Sequence, residues 1–138
     1  MTALLILACS ATKRPDAGLL PAIDRYDGPF YKTLRKALRE RAGLAERLQV
    51  RILSAEYGLI AADTPIPWYD RKMTRLRAEM LYPLVQHELN ELRPWPRPRF
   101  VSLSDLYHLA LPPMELTEYA CGGIGARLGQ LKEWLWQV

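Results

Sequence analysis

The chain has 138 residues, of which 49% are hydrophobic and 25% charged, with a formal net charge of +4. That is enough apolar material for one packed core and excludes a disordered chain. No apolar stretch reaches the roughly 20 residues of a bilayer span, and two cysteines with no secretory leader before them point to free thiols in a reducing cytoplasm rather than a disulfide scaffold.

Residues 3 to 9, ALLILAC, form an unbroken apolar run without alternation, which predicts a central parallel strand covered on both faces. A loop rich in Pro, Gly and Asp follows. Asp27-Gly28-Pro29 then supplies a cap and a first-turn proline, and the spacing of Phe30, Tyr31, Leu34, Ala37 and Leu38 predicts a helix over 29 to 42. Lys32, Arg35, Lys36, Arg39 and Arg41 lie together there, and helical spacing spreads them into a solvated face more readily than into a binding patch. A second buried strand is expected at 50 to 55. After it, Gly58, Pro65 and Pro67 break any regular element and imply a long loop, tied down by Trp68 and Tyr69.

Thr74 caps an expected helix carrying Leu76, Met80, Leu81, Leu84, Val85, Leu89 and Leu92, which stops before Pro94. The proline-rich RPWPRPRF reads as a connector into a third strand at 100 to 103. Ser104 or Asp105 caps a brief helix reaching His108, residues 114 to 120 offer a fourth strand, and Gly122-Gly123-Ile124-Gly125 opens a last helix turning Leu128, Leu131 and Leu135 inward. Alternating strands and helices imply a single α/β domain: a mostly parallel sheet of about four strands with helices on both faces, a Rossmann-like three-layer arrangement. Ligands bind outside the carboxyl ends of such strands. Cys9-Ser10, Ser54-Glu56-Tyr57, Ser104-Asp105 and Cys121-Gly122 are therefore expected on one rim, with Ser10, Ser54 and Ser104 facing a common hollow.

The candidate chemistry follows from that rim. Cys9 is either a nucleophile, activated by Lys13 or Arg14, or a small buried hydrophobe at a strand end. Ser10 and Thr12 offer hydroxyls and backbone N–H groups to a phosphate or carbonyl oxygen. Lys13 suits an anion, a leaving group or a Schiff base, set against a solvated loop lysine. Glu56 and Asp70 are the acid–base candidates, set against a reading in which Glu56 merely caps a turn or pairs with Arg71. Tyr57 and Tyr69 offer rings for stacking, with Arg71 in the same pocket wall. Gly122 and Gly123 could bring backbone N–H groups to a phosphate, or serve helix–sheet packing. The cluster lacks both the dinucleotide and the Walker signatures. His87 and His108 have no partners at metal spacing, so neither a metal nor a cofactor is expected.

Four blocks together, LACSATKR, the Y-x-G-x-F of Tyr26 to Phe30, ILSAEYGLI with PWYDRKM, and GGIGARLGQLKEWL, resemble small stand-alone domains of unknown function related to the YaaA peroxide-stress family. The CS-x-x-K segment is similar to one in accessory domains of archaeal tRNA enzymes that handle archaeosine, with Cys9, Ser10 and Lys13 as the matching positions and Ala8 where a proline often stands. The resemblance implies a compact α/β domain with a polar pocket, in a superfamily linked to nucleic-acid modification or protection. The expected ligand is a nucleotide, nucleoside or modified base, acted on by glycosidic-bond or base chemistry. The alternative is a non-catalytic DNA-binding or nucleotide-sensing module in stress response or phage defence.

Overall fold

In the computed structural model, which describes residues 2–138, the ALLILA run is β1 (Ala3–Ala8). It is followed by β2 (Leu20–Pro21), α1 (Ala22–Arg25), α2 (Pro29–Glu40), α3 (Leu44–Arg47), β3 (Leu48–Ser54), β4 (Gly58–Ala61), β5 (Pro65–Ile66), α4 (Arg75–Glu91), β6 (Arg99–Ser102), α5 (Asp105–His108), β7 (Glu118–Tyr119) and α6 (Ile124–Gln137). The five-stranded sheet has the order β4-β3-β1-β6-β7, and a two-stranded ribbon pairs β2 with β5. β1 is central. It pairs in parallel with β3, Leu5 opposite Val50, and with β6, Leu5 opposite Phe100.

Period-two alternation splits β1 between two apolar cores. Leu5 and Leu7 join Ile52, Phe100, Tyr31 and Leu34 of α2, and Leu131, Trp134 and Leu135 of α6. Leu4 and Ile6 join Leu53, Val101, and Ala78, Leu81, Val85 and Leu89 of α4. Both faces of β1 are thus buried, which explains a run with no polar member.

Three expectations change. The loop expected after residue 55 contains β4, antiparallel to β3, with Ser54 opposite Gly58. Gly58 adopts φ +79°, so the glycine that reads as a breaker closes a tight hairpin instead. The strand expected over 114 to 120 shrinks to Glu118–Tyr119, beside β6. Leu76, Met80 and Leu84, expected inward, lie on the exposed side of α4, because its inner stripe is filled by Ala78, Leu81, Val85 and Leu89. The cap expected from Asp27-Gly28-Pro29 falls on Gly28, with Pro29 in the first turn of α2, while the Asp27 carboxylate pairs with Arg35 at 2.5 Å. The Thr74 cap does form, its Oγ1 accepting from Arg77 N at 3.0 Å.

No helix among the described residues is long and apolar enough to cross a membrane. Of the cationic residues along and after α2, Arg35 donates to the carbonyls of Ile23 and Tyr26, and Arg41 to those of Leu135 and Val138, so both are structural.

Candidate functional site

The parallel strands β1, β3 and β6 end on one rim, because their crossovers return each to the same starting edge. Between the ends of β1 and β6 lies a cavity of about 290 Å³ whose lining includes Cys9, Ser10, Phe30, Ser102, Ser104, Tyr107 and Arg127. The first two close β1, Phe30 sits in the first turn of α2, and Arg127 projects from the first turns of α6. Cys9 Sγ and the Tyr107 hydroxyl lie 3.0 Å apart. Gly28 must be small there, since a Cβ would collide with Ser10 Oγ.

Arg127 is 9% exposed. Its Nη1 donates to Ser102 Oγ at a long 3.3 Å, and its guanidinium stands 5.3 Å from the centre of the Phe30 ring. No carboxylate pairs with it among the described residues. The same side chain borders a second hollow of about 360 Å³, whose lining includes Ser104, Asp105, His108, Gly122, Gly123 and Ile124.

A second polar cluster adjoins the cavity through its wall residue Tyr31, whose hydroxyl donates to Ala8 O at 2.5 Å. The Tyr31 ring packs on Tyr26 at 5.3 Å, Tyr26 meets Tyr69 edge-on at 6.3 Å, and Tyr69 meets Tyr57 at 5.3 Å, an unbroken run of four rings. Ser54 Oγ accepts from the backbone N–H groups of Glu56 and Tyr57, both at 3.1 Å, and so fixes the β3–β4 turn. With its lone pairs taken, Ser54 gives its own proton to Tyr69 Oη at 2.9 Å, and Tyr69 donates to Tyr26 Oη at 2.6 Å. Lys13 Nζ lies 4.6 Å from the centre of the Tyr69 ring, within cation–π range. Burial holds the hydroxyls of Tyr26, Tyr31, Tyr69 and Tyr107 above the ordinary phenol range, so all four are neutral at physiological pH.

The structure therefore distributes the sequence candidates unevenly. Cys9, Ser10 and Ser104 line the cavity, while Ser104, Gly122 and Gly123 border the adjoining hollow. Ser54 does not share a hollow with Ser10 and Ser104: it is fully buried beneath the tyrosines. Glu56 faces Arg71 at 3.3 Å across an exposed loop, and neither it nor Asp70 borders the cavity. Thr12 and Asp70 are exposed on separate loops, and Arg14 pairs with Asp16 at 2.8 Å rather than approaching the thiol. Tyr57 and Tyr69 meet each other edge to face. Sequence reasoning missed Phe30, Tyr107 and above all Arg127. Its signal was there: Arg127 stands at i−4 from Leu131 and i−8 from Leu135, an arginine in the inward stripe of α6.

No group of three or more His, Cys, Asp or Glu side chains that could hold a metal comes together among the described residues. No protein-family model matches the chain, and no curated protein matches it.

Proposed function

We propose that this chain is a small doubly wound, Rossmann-like domain that binds a nucleoside or nucleotide in the cavity at the carboxyl ends of β1 and β6. The observation that carries the reading is the lining itself: an aromatic ring, a buried guanidinium, three serine hydroxyls, a tyrosine hydroxyl and a thiol converging on about 290 Å³. That volume lies at the small end of ligand pockets, suited to a base with its sugar rather than a dinucleotide. Phe30 supplies a face for the base, and Ser10, Ser104 and Tyr107 supply groups that discriminate its edge and the ribose. The resemblance of LACSATKR to domains of nucleic-acid modification supports the same ligand class, and two free thiols suit a reducing cytoplasm.

The cavity lining contains no carboxylate. Glycosidic-bond cleavage by a pair of acids is therefore disfavoured, and binding or sensing is the leading reading. A second reading rests on Cys9, whose sulfur lies on the cavity wall 3.0 Å from the Tyr107 hydroxyl. There the thiol would add across an unsaturated bond of a base, sulfur bonding the carbon as the π bond breaks, while Tyr107 passes its own proton to the other atom of that bond and takes up the proton of Cys9.

A thermal-shift screen of bases, nucleosides and nucleotides tests the proposal. A ligand at a hundredfold excess over its Kd stabilises by about 2.7 kcal/mol, a rise in midpoint on the order of 8 °C for a chain of this size. Phe30→Ala should weaken that ligand about tenfold by removing base stacking. A flat response across the whole panel would overturn the reading. Unchanged binding by Cys9→Ala with loss of turnover would select the second reading over the first.

A further inference from the structure

Among the described residues three arginines are buried, and two of them are anchored by three or four backbone carbonyls each, although Arg25 Nε has no acceptor. Arg25 donates to the carbonyls of Arg14, Asp16, Gly18 and Ile66, and Arg99 to those of Trp95, Pro96 and Glu115. A guanidinium has five N–H donors and costs free energy wherever they go unmet. Arg127, 9% exposed, engages one of them, at 3.3 Å, and has no anion. Arg127 itself lines both hollows.

The second hollow adds donors of another kind. α6 is 14 residues long and is capped by Gly123, which has no side chain to satisfy the first turn. Arg127 N already donates to Gly123 O at 2.9 Å, closing the first intrahelical bond. The N–H groups of Ile124, Gly125 and Ala126 precede it and have no intrahelical acceptor, so the positive end of the helix is open where Gly122 and Gly123 line the hollow. Ser104, Ile124 and Arg127 form a wall common to both spaces. Asp105 is the one carboxylate bordering the hollow, and it sets a limit on how much negative charge is welcome. His108 also borders it, and burial lowers its pKa, so at neutral pH it adds no charge.

We infer that this hollow is a phosphate subsite, and that the ligand of the cavity is a nucleoside monophosphate whose base and ribose lie on one side of Arg127 and whose phosphate monoester lies on the other, against the start of α6. The inference rests on the nucleoside reading of the cavity. It adds the ligand's charge state and assigns Arg127, with the open N–H groups of α6, as the residues that select it. A monoester fits better than a triphosphate because Asp105 repels the additional charges.

Calorimetric titration tests it, using adenosine, guanosine, cytidine and uridine, their 5′-monophosphates and 5′-triphosphates, and inorganic phosphate, against the parent, Arg127→Gln and Arg127→Lys. The parent should bind one monophosphate ten to a hundredfold tighter than its nucleoside. Arg127→Gln should shrink that ratio to about threefold or less, and Arg127→Lys should restore part of it. If Arg127→Gln fails to fold by circular dichroism, the parent alone decides, since inorganic phosphate and rising salt should weaken monophosphate binding and leave nucleoside binding unmoved. A nucleoside that binds with no gain from its phosphate overturns the subsite and spares the cavity reading. Inorganic phosphate that binds while every nucleoside fails overturns the cavity reading and leaves an anion site alone. A triphosphate or a short single-stranded oligonucleotide that binds tighter than any monophosphate overturns the monoester assignment.

Discussion

The two polar clusters on the rim are built from similar side chains and differ in what is left over. Around Tyr26, Tyr69 and Ser54 each hydroxyl has a partner at 2.6 to 2.9 Å, and the buried Arg25 meets four carbonyls through its two terminal nitrogens, leaving its Nε without an acceptor. Around the cavity, Arg127 holds one long hydrogen bond and Ser104 makes no capping bond, although it stands at the start of α5. A buried polar network stabilises a fold when it is satisfied and costs free energy when it is not. The first cluster is scaffold. The second leaves donors unpaired, as the proposed binding site would require.

That contrast breaks most visibly at the two arginines. Arg25→Met should destabilise the fold by about 3 kcal/mol, because charge-assisted bonds to several carbonyls are lost at once. Urea denaturation measures it, and a loss below about 1 kcal/mol would remove Arg25 from the scaffold. Ser54→Ala should cost about 2 kcal/mol in the same assay by removing the acceptor of two part-buried N–H groups of the β3–β4 turn and the donor to the Tyr69 hydroxyl. Arg127→Met should go the other way. Replacing an unpaired buried charge with an apolar chain of similar length relieves desolvation, so the empty protein should gain about 1 kcal/mol while losing its preference for a monophosphate. A clear loss of stability in Arg127→Met would make that residue scaffold too.

The smallest effect is in pH. Burial lowers the pKa of His108, so below the ordinary histidine value the unfolded chain takes up a proton that the folded chain refuses. Stability from this group is complete above about pH 6.5 and falls as the pH drops from there through the lowered folded value. His108→Gln should flatten the stability profile between about pH 5 and 7. An unchanged slope would place the proton uptake elsewhere.

The layered α/β plan was legible because its determinants are local. An apolar run without alternation marks a strand covered twice, Pro29 marks a first helical turn, and Thr74 caps α4 through its own side chain. The β3–β4 hairpin was not, because Gly58 and the prolines after it carry the composition of a loop, and only Ser54 reaching back to two N–H groups converts it into a turn. Cys9, Ser10 and Ser104 could be anticipated as strand-end residues. Which serine faces the cavity and which faces the core depends on the tyrosines packed above, and these come from distant segments. Arg127 sits four residues before Leu131 on the buried stripe, a visible irregularity whose meaning needs the cavity beside it.

The position of β1 has one more consequence. It is hydrogen-bonded on both sides by parallel neighbours, so its amides should exchange with solvent only when the whole domain opens. Cys9 and Ser10 extend directly from it, whereas residues 14 to 19, just downstream, are exposed and held largely by the Arg25 side chain. The strand-end residues on the cavity wall should therefore be among the last backbone positions to open, whereas residues 14 to 19, which do not line the cavity, should open far more often.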